Sequence, residues 1–164
     1  MTYAAQKRQE NHERDNSVAT EAVLPPTVFI VDDYDLLREA LSWLMEANGF
    51  AVELFRGGEE FLARYDPQRP GCLLLDVQMP GMGGLDVLED LRRRGSTLPV
   101  ILMSGSCLPD TLARASRAGI VDFLEKPFSD QMLLRRIRQA IGLDRRERRA
   151  PEANGQSPRR AHKR

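Results

Sequence analysis

Cys72-Leu73-Leu74-Leu75-Asp76-Val77-Gln78-Met79-Pro80-Gly81-Met82-Gly83-Gly84 is the stretch on which the fold turns. Four apolar residues run without polar interruption and end on a carboxylate. Such a run is expected of a strand covered on both faces, because an exposed face would impose alternation. The loop that follows is too rich in glycine and proline to be mere connection. Glycine there permits positive φ and close approach of backbone to a ligand. Moving outward, the same pattern recurs. Thr27 to Val31 ends on Asp32 and Asp33, Leu98 to Met103 ends on Ser104, and Val121 to Leu124 leads to Lys126 and Pro127. Ala51 to Phe55 is a further apolar run of strand length.

Helical spacing separates these runs. Leu36, Leu37, Ala40, Leu41, Leu44 and Met45 recur at intervals of three and four, as do Leu85, Leu88 and Leu91, and later Met132, Leu133, Ile137 and Ile141. Gly49, Gly95 and Gly119 stand where helices should stop. Five β–α units of this length imply an α/β fold, an open parallel sheet with helices on both faces, since parallel strands require right-handed crossovers. Ligands of such sheets sit at the carboxyl ends of the strands. That edge would collect Asp32, Asp33, Asp76, Ser104 and Lys126. Crowded carboxylates raise one another's pKa unless a cation sits among them, and a hard divalent cation prefers oxygen ligands. The hydroxyl and the ammonium supply what a phosphoryl group needs on its other side.

Each residue alone also has a plainer reading. An Asp pair after a strand serves as a helix cap or turn carboxylate; Ser104 before Gly105 is an ordinary strand-end hydroxyl; Lys126 can snorkel; Phe123 can be a core aromatic. Trp43, set among Leu41, Leu44 and Met45, reads as a core or half-buried packing residue. Cys72 and Cys107 lack C-x-x-C spacing and read as buried free thiols.

The 164 residues suffice for one domain of ordinary size. Residues 27–143 carry 13 Lys and Arg against 17 Asp and Glu, and residues 144–164 carry 8 against 3. An acidic body therefore has a basic tail. Residues 1–26 read as a disordered extension closed by Pro25-Pro26, residues 27–143 as the folded domain, and residues 144–164 as a largely disordered tail whose first six residues can prolong the last helix. No run approaches the ~20 apolar residues of a membrane span, and the first residues do not form a signal-peptide pattern. A cytoplasmic protein without membrane partners is expected. The two histidines, His12 and His162, lie in the ends, so no histidine triad or zinc site belongs to the body. No phosphate-binding glycine loop follows the first strand, and nucleotides are not expected.

Taken together, Asp32-Asp33, Asp76 in DVQMPGMGGLDVL, Ser104 in LPVILMSG and Lys126 in AGIVDFLEKPF resemble the receiver domain of two-component response regulators, most of all the FixJ-type receivers. The resemblance covers residues 27–143. It implies a flavodoxin-like doubly wound sheet of order 2-1-3-4-5 with five helices. It further implies that Asp76 accepts a phosphoryl group from a sensor histidine kinase or phosphotransfer protein, in a Mg2+-dependent reaction catalysed by the domain itself rather than by a separate enzyme activity. Asp33 matches a direct metal ligand, Asp32 one acting through water, and Gln78 a backbone-carbonyl ligand alongside Asp76. Lys126 matches the residue that pairs with the carboxylate and then with the phosphoryl oxygens. Ser104 and Phe123 match the switch pair, in which the hydroxyl moves inward and the ring turns into the space vacated.

The same resemblance implies an output face on the fourth helix, fifth strand and fifth helix, used by a downstream protein or a phosphorylation-dependent homodimer. Arg114, Arg117, Arg135, Arg136 and Arg138 would lie there. FixJ-type regulators carry a DNA-binding domain after the receiver, and the residues after Leu143 are too few for one. The expectation is a stand-alone receiver that switches a partner or shuttles phosphoryl groups. An alternative is an adaptor binding nucleic acid or protein through the basic tail, although nucleic acid is not the expected partner. A phosphatase-like enzyme of the haloacid-dehalogenase type would need a second Asp where Gln78 stands.

Overall fold

The computed structural model describes residues 24–150. Five strands and five helices alternate: β1 (Thr27–Val31), α1 (Asp35–Ala47), β2 (Ala51–Phe55), α2 (Gly58–Arg64), β3 (Gly71–Asp76), α3 (Gly84–Arg93), β4 (Val100–Ser104), α4 (Pro109–Arg117), β5 (Asp122–Glu125) and α5 (Asp130–Arg149). All strand pairs are parallel, in the order β2-β1-β3-β4-β5. The central strands β1, β3 and β4 are buried along their whole length, which accounts for their unbroken apolar sequences.

Strand residues alternate between two cores. Phe29, Val31, Leu73, Leu75, Val100 and Leu102 pack with α2, α3 and α4 through Phe61, Leu88, Leu91 and Ala115. Val28, Ile30, Cys72, Leu74, Ile101 and Met103 face α1 and α5 through Leu41, Met45, Leu133, Ile137 and Ile141. The ring of Phe61 meets Phe55 edge-on at 5.2 Å and stacks on Tyr65 at 5.1 Å. Truncating Phe61 to Ala would cost about 3–5 kcal/mol. Gly49, Gly95 and Gly119 follow α1, α3 and α4 with φ of 80°, 76° and 72°, as expected of residues that end a helix in the left-handed region.

Three expectations need correction. Trp43 is 70 % exposed. Leu41 and Met45 are the inward residues, and a position two residues from each lies about 200° round the helix, which turns Trp43 to solvent. The inner face of α1 is completed by Arg38 and Ser42. Of the cysteines, Cys72 is buried but Cys107 is exposed, because it lies in the loop between β4 and α4 rather than in the strand.

The boundary at Leu143 also moves, since α5 continues to Arg149 with Asp144 buried. Asp144 Oδ2 accepts the Gly71 N–H at 2.9 Å, and Arg148 Nε donates to both Asp144 oxygens at 2.9 Å. The Arg148 guanidinium also donates to the carbonyls of Pro67, Gln68 and Arg69. The first turn of the nominal tail therefore clasps the loop that leads into β3. The N-terminal extension through residue 23 and the tail beyond Ala150 lie outside the described residues. No helix among the described residues is long and apolar enough to cross a membrane.

Candidate functional site

Asp32 follows β1, Asp76 ends β3, Ser104 ends β4 and Lys126 follows β5. Parallel strands point their carboxyl ends to one edge, so these side chains converge. One oxygen each from Asp32, Asp33 and Asp76 lie within 4.8 Å of one another. Asp32 is 1 % and Asp76 4 % exposed, whereas Asp33 is exposed. Lys126 reaches over β4 to place Nζ 2.8 Å from Asp76 Oδ1 and 3.1 Å from Asp32 Oδ2.

The two members of the acidic pair are held differently. Asp32 Oδ1 accepts the Tyr34 N–H at 2.8 Å, Oδ2 accepts Lys126, and its backbone N–H donates to Phe55 O at 3.3 Å. Asp33 has no hydrogen-bond or ion-pair partner among the described residues. Asp76 Oδ2 accepts the Gln78 N–H at 3.1 Å, which keeps that loop residue beside the carboxylate. Gly84 makes this packing feasible: a Cβ there would lie 2.2 Å from Asp76 O.

Burial pushes the Asp76 carboxyl above its ordinary value; Lys126 opposes the rise, and the charges of Asp32 and Asp33 add to it. Burial works against the Lys126 ammonium, but its hydrogen bond to Asp76 and the charges of Asp32 and Asp76 outweigh that, and its pKa is raised. One ammonium does not balance three crowded carboxylates. The set has the oxygen donors and surplus negative charge that suit a small divalent cation.

Ser104 is buried on the neighbouring strand, with its hydroxyl donating to Ser106 O at 2.8 Å and accepting the Ser106 N–H at 3.2 Å. It belongs to the same edge but is turned into its own loop. The Ser104 carbonyl accepts the Lys126 N–H at 2.7 Å, joining the two positions through the backbone. Phe123 on β5 is half-buried against the α3–α4 core. The Lys126–Pro127 bond is cis.

Several arginines of the expected output face are already engaged. Arg114 pairs with Asp86 and Glu89 on α3, Arg136 with Asp122, and Arg138 lies over the Phe50 ring. Arg117 and Arg135 have no partner among the described residues. Sequence reasoning missed Arg38, which is only 6 % exposed on α1; a lone basic residue in a helix gives no signal of burial.

Residues 28–138 match the family model of the response regulator receiver domain. The transcriptional regulatory protein FixJ of Azorhizobium caulinodans is 36 % identical over 129 residues, covering 79 % of this chain and 61 % of that protein. The response regulator protein TodT of Pseudomonas putida is 39 % identical over 132 residues, covering 80 % and 56 %. The solved structure of the response regulator StyR superposes with a TM-score of 0.74 at 40 % identity, over 79 % of this chain and 65 % of that one. The chain thus spans roughly three-fifths of the length of these curated relatives.

Proposed function

This chain belongs to the response regulator receiver family, and from that premise we propose that Asp76 is its phosphoacceptor. The observation that carries the reading is the contact of a nine-tenths-buried carboxylate, Asp76, with an ammonium, beside two further carboxylates with oxygens within 4.8 Å. The phosphoryl group comes from a phosphohistidine of a sensor kinase or phosphotransfer protein. An Asp76 oxygen forms the new P–O bond of an acyl phosphate while the P–N bond to the donor breaks.

Asp33, Asp76 and the Gln78 carbonyl are the residues that would hold Mg2+, with Asp32 acting through water. When bound, the cation supplies neutralising charge for the phosphoryl oxygens of a loose, in-line transition state. The unengaged Asp33 carboxylate supports its assignment as the direct ligand, and the occupied oxygens of Asp32 support an orienting role. Lys126 holds the Asp76 carboxylate in place and then meets the phosphoryl oxygens. Phosphorylation adds about 1.5 to 2 negative charges, and Ser104 must leave Ser106 to meet them. That exchange, with Phe123 following, alters the face of α4, β5 and α5 presented to a downstream protein or a second copy, or else the group is passed on.

The test is incubation with acetyl phosphate and Mg2+, read by intact mass. The wild-type chain gains one phosphoryl group and Asp76→Asn gains none. Phosphorylation of Asp76→Asn near the wild-type level would overturn the assignment.

A further inference from the structure

Arg38 is the most buried cationic side chain near the acidic edge, and no step described so far uses it. An arginine so enclosed is costly unless its donors are satisfied. Its Nη1 donates to the backbone carbonyl of Asp32 at 2.6 Å, and its Nη2 pairs with Asp35 Oδ1. The guanidinium fork thus spans the turn between β1 and α1 from the inside. It grips that turn on either side of Asp33, at the residue before it and the residue two after it.

We propose that Arg38 is a positioning residue for the cation site, fixing the Asp32-Asp33 turn so that the Asp33 carboxylate is presented beside Asp76. The inference rests on the reading of Asp32, Asp33 and Asp76 as a divalent-cation site. Asp32 is fixed on its carboxylate oxygens by Tyr34 N–H and Lys126. Asp33 has no such contacts among the described residues, so its place depends on the backbone that carries it. Two side chains tie down that backbone: the Asp32 carboxylate, which accepts the Tyr34 N–H at 2.8 Å from within the turn, and Arg38, which holds Asp32 O at 2.6 Å from the helix that follows. The Asp32 N–H bond to Phe55 O, at 3.3 Å, is longer than either. Lysine replaces the fork only in part, since one ammonium on a flexible stem does not hold a planar, two-ended geometry.

Residues that orient metal ligands from behind typically carry about 10- to 100-fold in affinity. Calorimetric titration of the full chain with Mg2+ is therefore expected to show binding weakened about 10-fold in Arg38→Met, with Arg38→Lys intermediate. The Mg2+ concentration giving half-maximal phosphorylation by acetyl phosphate should rise by the same factor. At saturating Mg2+ the rate should return to within about twofold of wild type, because Arg38 touches neither phosphoryl group nor nucleophile. Amide exchange at Tyr34, whose N–H closes the turn on Asp32, should quicken in both variants.

A folded Arg38→Met protein with lowered melting temperature but wild-type Mg2+ affinity would make Arg38 a packing residue and overturn the proposal. If Arg38→Met does not fold, unchanged affinity in Arg38→Lys overturns it equally. A wild-type chain that binds no Mg2+ would remove the cation reading together with this one, whereas wild-type binding with indifferent Arg38 variants removes only the role of Arg38.

Discussion

Lys126 Nζ lies 2.8 Å from Asp76 Oδ1 although β4 runs between their strands. The ammonium is the sole cation in direct contact with that carboxylate among the described residues, and it is shared with Asp32. One ammonium therefore faces a surplus of carboxylate charge, with consequences that can be measured.

In the absence of divalent cations, Asp76→Asn should be more stable than wild type at neutral pH. An acid whose pKa is raised by folding binds its proton more tightly in the folded state, so its ionised form withdraws stability that returns as pH falls. The advantage of Asn should shrink toward the ordinary carboxylate range, where Asp76 is protonated. Thermal midpoints in chelator across pH 4 to 8 provide the check; equal midpoints at pH 7 would contradict it.

Asp33→Asn should weaken Mg2+ binding by at least about 10-fold, and Asp32→Asn by less. A direct ligand loses a coordination bond, whereas a partner acting through water loses orientation. Calorimetry on both variants gives the comparison, and identical affinities would contradict the division of roles.

Gly84→Ala should lower stability by about 1–3 kcal/mol, the usual range for forcing extra volume into a packed site. Its Cβ would collide with the Asp76 carbonyl at 2.2 Å, so the main chain that carries the Asp76 carboxylate must shift. A misplacement of that kind can slow reaction about 100-fold. Denaturant unfolding and acetyl phosphate kinetics measure the two effects; a wild-type rate in Gly84→Ala would show that the loop absorbs the clash elsewhere.

A chain ending at Leu143 should be less stable than one ending at Ala150 by about 2–3 kcal/mol, since it leaves the Gly71 N–H without the buried Asp144 and frees the loop held by Arg148. Where both are folded, their phosphorylation rates should agree within about twofold, because the clasp lies at the opposite end of β3 from Asp76. Urea titration followed by mass-based kinetics separates stability from chemistry.

Native protein should take up one equivalent of iodoacetamide, at Cys107, and two after unfolding. Cys107 is exposed, while burial pushes the Cys72 thiol far above its ordinary value, with Asp144 adding to the rise. Reagents act on the thiolate, so two equivalents in the native state would mean that the core around Cys72 opens readily.

Strands β1 and β2 were legible to the residue, because burial on both faces or against one helix layer leaves a compact apolar run between turns. The acidic edge was legible for the same reason: Asp32, Asp76 and Lys126 are polar residues placed where apolar runs end. Helix α2 was not, since within Gly58–Arg64 Phe61 is the only large side chain fully buried and seven residues show too little periodicity. Likewise α4 buries Ala115 alone. The face of α1 was misread because apolar spacing counted Leu36 and Ala40, while the protein buries Ser42 and Arg38, the latter against the Asp32–Asp35 turn. The place of Asp144 at the head of the basic tail gave no sign of burial, for that depends on a backbone N–H of Gly71, 73 residues away.

The separation of 94 positions between Asp32 and Lys126 also sets when the site is assembled. Contacts between distant segments form late, after the entropy of closing the intervening chain has been overcome. A chain emerging from synthesis with β1 to β4 assembled already carries the acidic cluster, but has no ammonium beside Asp76 until β5 docks. The cluster of Asp32, Asp76 and Lys126 is thereby complete only in molecules that have completed the sheet.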